Sequence, residues 1–177
     1  MSFAFTRDFG MKVNRILTVA SVRKPGIDPS TTLAALWDTG ATSCVINDAK
    51  AKMIGLPVVG KAVMNHAGGT QVVDKYVADI ILPNKVTISN VTVLGSPALA
   101  GFDLIIGMDV ITLGDFCITN KDGKTVVSFR IPSEVKTDYA AEINARKIKL
   151  LKSLGRNAKC PCNSGLKVKD CCGKGIV

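Results

Sequence analysis

The sequence predicts an all-β domain that is followed by one helix and a small cysteine-rich module. From Met11 to Ile131, short runs of β-branched residues alternate with turn residues, which is typical of a β-barrel or a β-sandwich. After Pro132 the apolar residues recur near every 3.6 positions, as in a helix. The last twenty or so residues hold four of the six cysteines and are too few to bury a core of their own.

Seven runs of residues are the predicted strands, and Gly, Pro, Asn or Asp separate them. They are KVNRILTVASV, TTLAALW, KAVMNHA, TQVVDKYVADIIL, KVTISNVTVL, FCITN and KTVVSF. For the residues up to Gly10, both an ordered and a frayed segment stay open. A short helix is predicted at INDAKAKMIG, where Asn47 or Asp48 is the cap and Gly55 the end. A second helical turn follows Gly107.

The boundary of the β domain is predicted at Pro132-Ser133. The next helix spans Glu134 to Leu154, with Ser133 as its N-cap and Gly155 as its stop. Its apolar stripe predicts docking on the barrel or on a second subunit, and it consists of Ala140, Ile143, Leu150, Leu151 and Leu154. The predicted domains are therefore residues 1–132, 133–155 and 156–177.

The net charge of +9 is concentrated at the C-terminal end. Residues 134–177 contain ten Lys/Arg and four Asp/Glu, which gives +6. Four zinc-bound thiolates would lower that charge to about +4, so a solvated basic face is favoured over a nucleic-acid site. The chain has no apolar run of bilayer length and no apolar stretch of signal-peptide type at its start. These features predict a soluble cytoplasmic protein without membrane contact.

One carboxylate motif carries the functional prediction. The apolar run TTLAALW leads directly into Asp38-Thr39-Gly40-Ala41, a turn that by itself is common. About seventy residues later, a second apolar run, LII, meets Gly107 before a helical turn. Between the two motifs lies a hairpin with Gly68-Gly69 near its tip.

These motifs, in this order, resemble the retropepsin-like aspartic proteases, and the bacterial and phage members most of all. The resemblance extends over roughly Met11 to Pro132 and implies a closed acid-protease barrel. It implies that Asp38 is the catalytic aspartate, that Thr39 makes interlocking hydrogen bonds between paired loops, and that Gly40 offers its backbone to a peptide substrate.

The resemblance also implies a set of substrate contacts. The predicted flap tip closes over the peptide, and Ile105 and Ile106 back the Asp38 loop and line a specificity pocket. The full set is Ala41, His66, Ala67, Gly68, Gly69, Ile105 and Ile106. For His66, the only histidine, an exposed hairpin position stays open as the alternative to substrate contact. Asp103 and Asp109 are predicted to be structural.

Aspartic proteolysis needs two carboxylates that share one proton, one acting as base and the other as acid. This chain has one such motif and no internal duplicate. An active enzyme must therefore be a homodimer in which each copy supplies Asp38, and it needs no cofactor for catalysis. Retroviral relatives carry an acidic residue at Thr42 and an arginine at Met108, so the dimer contacts must differ here.

The cysteines form two groups. Cys44 and Cys117 stand alone in apolar segments and are predicted to be buried thiols. The other four can supply soft thiolate ligands, and their number and spacing suit a closed zinc site. A disulfide pair is the less favoured alternative. They are Cys160, Cys162, Cys171 and Cys172.

The string CPCNSGLKVKDCCG resembles the SEC-C motif, a zinc module appended to bacterial proteins. The resemblance implies a structural zinc ion and contact with a protein, as in the tail of the preprotein translocase ATPase. Four lysines would then present a basic surface to an acidic partner: Lys159, Lys167, Lys169 and Lys174.

The leading functional hypothesis is a homodimeric aspartic endopeptidase with a zinc tail that selects or tethers a protein. The alternative is a dimeric peptide-binding module without turnover. A weaker alternative makes the basic tail a nucleic-acid tether. The intact Asp-Thr-Gly-Ala turn favours the enzyme, because a scaffold needs no pair of like charges that lowers stability.

Overall fold

The computed structural model describes residues 1–66, 69–97 and 99–176 and divides the chain into two compact units, Met1–Glu134 and Val135–Val177. The strands are β1 (Phe3–Asp8), β2 (Ile16–Arg23), β3 (Thr31–Trp37), β4 (Val45–Asn47), β5 (Val58–His66), β6 (Gly69–Ile81), β7 (Thr87–Ser96), β8 (Leu104–Ile106), β9 (Asp115–Thr119) and β10 (Val126–Ile131). The helices are α1 (Asp48–Ile54), α2 (Met108–Ile111) and α3 (Tyr139–Leu154).

The first unit is built on a closed barrel. Its seven-stranded sheet has the order β2-β3-β8-β4-β7-β6-β5, and β2 pairs with β6 as well as with β3. This extra pairing joins the two sides of the sheet into a barrel and leaves β5 outside the closure, attached to β6. The predicted all-β barrel with short helices is confirmed.

Two parallel pairings bring the functional loops together. β3 runs parallel to β8, with Trp37 opposite Ile106, and β4 runs parallel to β7. The other strand pairs are antiparallel. Because parallel strands end on the same side, the turn after Trp37 lies beside the turn after Ile106.

A second sheet of three strands, in the order β1-β10-β9, adjoins the barrel through aromatic side chains. Trp37 lies at the centre of this cluster. Its ring stacks on Phe116 at 5.3 Å and meets Phe129 at 4.9 Å and Phe5 at 5.7 Å. The N-terminal residues that the sequence left open are therefore the ordered strand β1, whose pairing with β10 no local pattern indicates.

The short helices match their predictions, whereas α3 begins later than predicted. The Asn47 side chain caps α1, and Gly55 ends it in a left-handed conformation with φ of 72°. Asp138, and not Ser133, caps α3 by accepting from the Ala141 N–H at 2.9 Å. The Ser133 hydroxyl is already engaged, because it donates to Asp115 at the end of the three-stranded sheet.

The apolar stripe of α3 is mostly exposed. Only Leu151 is buried, whereas Ala140, Ile143, Leu150 and Leu154 are exposed. Docking of this stripe, on the barrel or on a second subunit, stays a prediction. No helix in residues 1–66, 69–97 and 99–176 has the length and apolar character to cross a membrane.

One buried carboxylate ties the barrel's β2–β6 seam together. Asp79 is 2% exposed and accepts hydrogen bonds from the N–H groups of Gly26 (2.8 Å) and Asn90 (3.1 Å) and from Arg23 (3.3 Å). Burial opposes its ionisation, but these donors outweigh burial and lower the pKa of Asp79. The carboxylate consequently stays charged into the acid range.

The two isolated cysteines differ in their surroundings. Cys44 is buried, as predicted. The prediction was wrong for Cys117, which is exposed. In β9 it lies opposite Ser128, so it faces away from the side on which Phe116 packs against Phe129.

Candidate active site and candidate metal centre

The Asp38 turn is held by backbone hydrogen bonds at the open end of β3. The Asp38 N–H donates to the Ile106 carbonyl at 3.0 Å, and the Ala41 N–H donates to the Asp38 carbonyl at 3.2 Å. Asp38 Oδ1 accepts from the Gly40 N–H at 2.8 Å. Within the part of the chain that the structure describes, Oδ2 has no hydrogen-bond partner, so this oxygen is available to a water or a second carboxyl group.

Helix α2 braces the same loop from behind. The Met108 N–H donates to the Ala41 carbonyl at 2.8 Å, and the Asp109 N–H donates to the Thr42 carbonyl at 3.2 Å. Gly107 permits this approach, because a Cβ there would lie 2.6 Å from the Ser43 carbonyl carbon. The glycine that the sequence placed before the helical turn is thus required by packing.

Asp109 makes a second brace that sequence reasoning missed. Its carboxylate accepts from the Cys44 N–H at 2.9 Å and from the Cys44 thiol at 3.1 Å. Burial raises the pKa of Cys44, and the adjacent Asp109 carboxylate raises it further, so this thiol remains a proton donor. The pair ties α2 to the loop that carries Asp38.

We expect Asp109→Ala to lower the free energy of unfolding by about 2–3 kcal/mol, because it leaves the two buried donors of Cys44 unsatisfied. Asp109→Asn should cost much less, since the amide oxygen can accept from the Cys44 N–H and the amide nitrogen can donate to the sulfur. Urea unfolding of both variants measures the difference. Equal losses for Ala and Asn would contradict this role.

A cleft of about 680 Å³ opens above the Asp38 turn. Its lining is mostly apolar, and Asp38 is the only ionisable residue in it among the residues described. The lining consists of Asp38, Gly40, Ala41, Thr42, Ser43, Val45, Val63, Met64, Asn65, Gln71, Leu94, Ser96, Pro97, Leu99 and Ile105. Such a cleft can hold an extended peptide against one carboxylate.

The predicted substrate contacts fall in different places. Ala41 and Ile105 line the cleft. Ile106 is fully buried in the core instead, and it supports the Asp38 turn through its carbonyl. Gly69 pairs with the backbone of His66 at the β5–β6 hairpin and has φ of 118°. The His66 side chain and the predicted contacts Ala67 and Gly68 lie outside the described residues.

Sequence reasoning missed the arms of this hairpin. Val63, Met64 and Asn65 on β5 and Gln71 on β6 line the cleft. The signal for them was the strand alternation on both sides of the glycine tip, which places such residues next to the Asp38 turn once the hairpin folds over it.

Thr39 is exposed, and its side chain makes no hydrogen bond within residues 1–66, 69–97 and 99–176. A hydroxyl in a rigid turn beside Asp38 is thus free to bond outside the chain. Its predicted role in interlocking two loops stays a prediction.

The four C-terminal cysteines converge on one point. The sulfurs of Cys160, Cys162, Cys171 and Cys172 all lie within 4.8 Å of one another. The separation is 3.4 Å between Cys162 and Cys171 and 3.9 Å between Cys171 and Cys172. A tetrahedral zinc with bonds of about 2.3 Å sets its sulfurs about 3.8 Å apart. The thiols are free of disulfides, and this donor set fits a zinc ion.

Backbone turns hold these ligands in place. The Cys160 N–H donates to the Leu166 carbonyl at 2.8 Å, and Asn163 and Gly165 have positive φ between the two cysteine pairs. Hydrogen bonds from the side chain and backbone of Ser164, and then from Cys160 and Cys171, lower the pKa of Cys162 to about 6. A thiol with this pKa is mostly thiolate at neutral pH, the form that a metal binds.

Family comparisons match both parts of the chain. Residues 25–110 match the model described as aspartyl protease, and residues 156–174 match the SEC-C motif. A curated relative, the protein translocase subunit SecA of Syntrophomonas wolfei, is 43% identical over 47 residues. That match spans 25% of this chain and 6% of the relative.

Three solved structures are similar to the chain. The retropepsin-like aspartic protease from Rickettsia conorii has 11% identity and a TM-score of 0.48, over 74% of this chain and 96% of that one. The EIAV protease complexed with an inhibitor has 19% identity and a TM-score of 0.46, over 57% of this chain and 91% of that one. The Simian Foamy Virus (mac) protease has 20% identity and a TM-score of 0.36, over 53% of this chain and 91% of that one.

The closed barrel, the Asp-Thr-Gly-Ala turn in its cleft and the family match over residues 25–110 define an aspartyl protease domain. More particularly, this domain resembles the retropepsin-like aspartic proteases, and residues 156–174 match the SEC-C motif. The resemblance read from the sequence is confirmed.

Proposed function

We propose that this protein is a homodimeric aspartic endopeptidase whose active site contains Asp38 from each of two copies. The observation that carries the proposal is the position of Asp38 in a cleft of peptide size whose described lining holds no other ionisable residue. The free Oδ2 and the exposed Thr39 support it, because both are groups that a second copy or a substrate can engage.

In the proposed reaction the two carboxyl groups share one proton. The ionised group takes a proton from a water as that water attacks the scissile carbonyl carbon, and the protonated group donates to the carbonyl oxygen. The tetrahedral intermediate then collapses: the carboxyl group that took the proton from water donates it to the leaving nitrogen, the other carboxylate takes a hydroxyl proton back, and the C–N bond breaks, which leaves the pair with one proton again. The backbone of Gly40 and the hairpin arms hold the peptide extended during these steps.

The test is cleavage of a peptide library between pH 4 and 7, with products identified by mass spectrometry. We expect internal cleavage with a bell-shaped pH profile, because the site works only while one of two carboxyl groups is ionised. Asp38→Asn should remove it, whereas Asp28→Asn, at an exposed position outside the cleft, should not. A folded wild-type protein that cleaves no peptide would contradict the proposal and favour a peptide-binding module.

For the C-terminal part we propose that the four cysteines bind a structural zinc ion and that the module contacts an acidic protein. The donor set supports the metal, and three exposed lysines, Lys159, Lys167 and Lys174, support the partner's charge. Lys169 is half-buried and contributes less. The proposed division of the chain is residues 1–132 for the protease, 133–155 for a linker helix and 156–177 for the zinc module.

A further inference from the structure

The β5–β6 hairpin over the cleft is rooted in the barrel at two residues of β6. The outer part of β6 pairs only with β5 among the described strands, whereas Lys75 and Tyr76 pair with β5 on one side and with β7 on the other. Opposite this point the register of β5 shifts between Val58 and Gly60, and such a bulge bends a strand. The hairpin therefore leaves the barrel at Lys75-Tyr76, and its angle to the cleft is set there.

Tyr76 ties this root to helix α1. Its ring is 1% exposed, and its hydroxyl donates to Asp48 Oδ1 at 2.6 Å. Asp48 is the first residue of α1, so the bond joins the hairpin to the helix that follows β4. Burial raises the pKa of Tyr76, and the Asp48 carboxylate raises it further, so the phenol remains a proton donor.

The acceptor of this bond is a carboxylate with a second partner. Asp48 Oδ2 accepts from Lys52 Nζ at 2.6 Å, and hydrogen bonds from Lys52 and then from Tyr76 lower the pKa of Asp48. The Lys52 side chain is 63% exposed, so water screens its ion pair. The bond from the buried phenol is charge-assisted and is the better shielded of the two. It therefore holds the hairpin root more firmly than the ion pair does.

Gly95 of β7 makes room for the bond. A Cβ at this position would lie 2.9 Å from Tyr76 Cε2 and 3.0 Å from Asp48 Oδ1. Its two neighbours, Leu94 and Ser96, line the cleft. The strand that accommodates the Tyr76–Asp48 pair is thus also a wall of the cleft, so the pair connects the hairpin to that wall.

We propose that Tyr76 and Asp48 are positioning residues that hold the hairpin over the Asp38 turn and thereby set how tightly the enzyme binds its peptide. The inference rests on the proposed function, in which the hairpin arms hold the substrate. Neither residue is among the described residues that line the cleft, so both act through the hairpin and not by touching the peptide.

Loss of the Tyr76–Asp48 bond should affect peptide binding and not the chemical step. Without the bond the hairpin also adopts positions away from the cleft, and only the chains with the hairpin in place bind peptide. KM then rises by the inverse of that fraction, whereas kcat is kept, because the bound complex has its hairpin in place. A general loss of stability would instead reduce the amount of active enzyme, which lowers the measured kcat at an unchanged KM.

Tyr76→Phe tests the bond, because it removes the hydroxyl and keeps the buried ring. We expect KM for a peptide substrate to rise about tenfold, with kcat within about twofold of wild type. Tyr139→Phe changes the other tyrosine, which is exposed on α3, and should leave both constants unchanged. Fluorescence of Trp37, the only tryptophan, reports folding of the variants. An unchanged KM in folded Tyr76→Phe, or a fall in kcat alone, would overturn the proposal.

Variants of the acceptor separate the hydrogen bond from the ion pair. Asp48→Ala should raise KM as much as Tyr76→Phe does, whereas Asp48→Asn should restore most of the wild-type KM, because its amide oxygen can accept from the phenol. Lys52→Ala removes the exposed ion pair and should leave KM unchanged. Asp48→Asn chains that bind peptide as poorly as Asp48→Ala, or a large rise of KM in Lys52→Ala, would refute the role of the hydroxyl.

Hydrogen exchange of the full-length protein tests the same bond without activity. Deuterium uptake in fragments from β5 and the outer part of β6 should be at least about threefold faster in Tyr76→Phe than in wild type, whereas fragments from β2 and β3 should keep the wild-type rate. A wild-type protein that cleaves no peptide overturns the proposed function, and exchange still decides the bond, since an unchanged rate refutes it. A wild-type protein that cleaves peptides, with a Tyr76→Phe variant equal to it in KM and exchange, refutes the positioning role and leaves the peptidase standing.

Discussion

Mixing wild-type protein with a nine-fold excess of Asp38→Asn chains will reduce the cleavage rate to about one tenth. In the proposed homodimer each chain supplies one catalytic carboxyl group, so a mixed dimer has one Asp38 and one amide and cannot share a proton as the reaction requires. If the chains exchange freely, a wild-type chain then has about one chance in ten of forming a dimer with another wild-type chain. The variant alone should be slower than wild type by about 10³-fold or more.

The measurement is the initial rate of peptide cleavage at fixed wild-type concentration, after the subunits have exchanged. An equal excess of Asp28→Asn, with its substitution at an exposed site, is the control and should raise the rate in proportion to the chains added. A rate that Asp38→Asn leaves unchanged after demonstrated exchange would mean that single chains are active, and the shared site would be excluded.

Much of the barrel was predictable because its strands carry local signals. β-branched runs and turn residues mark β2, β3, β6 and β7, and cap residues mark α1. The closure of the barrel through the β2–β6 pairing is a non-local feature, however, and no residue pattern in either strand specifies its partner. The family resemblance, and not strand periodicity, supplied the closed barrel.

The misses at the site have physical causes. Asp109 is the structural first-turn residue that was expected, but its bond to the Cys44 thiol was not predictable, because it joins residues 65 apart in the chain. Cys117 was expected to be buried because its neighbours are apolar, yet strand alternation turns it outward. Ile105 and Ile106 are adjacent residues of the same type, but the same alternation places Ile105 in the lining of the cleft and Ile106 in the core.

The cysteine module was predictable from spacing because so short a segment has few other ways to bring four thiols together. The start of α3 was not, since two residues compete to cap it. Ser133 is a good cap by type, but its bond to Asp115 holds it at the end of the three-stranded sheet, and Asp138 takes the role. Capping preference alone cannot decide such a competition.

Removing the metal will unfold the C-terminal module while the barrel keeps its fold and its cleavage of short peptides. Structural zinc contributes about 10–16 kcal/mol in small modules at neutral pH, far more than this short segment can gain by packing. A zinc ion held by four cysteines has no open position, so we expect it to take no part in catalysis. Metal analysis should find one zinc per chain, and a chelator should remove hydrogen-exchange protection from Cys160 and Val168, whose N–H groups are bonded within the module.

Variants at the fourth ligand make this expectation specific. Cys172→Ala should lose the metal and the protection of the module, because three thiolates leave the site open. Cys172→His should keep both, since imidazole is a zinc ligand of similar reach. Cys117→Ala, outside the cluster, should retain the metal and the protected module. A module that stays protected without metal would contradict the structural role, and peptide cleavage that stops on chelation would show that the metal acts beyond its own module.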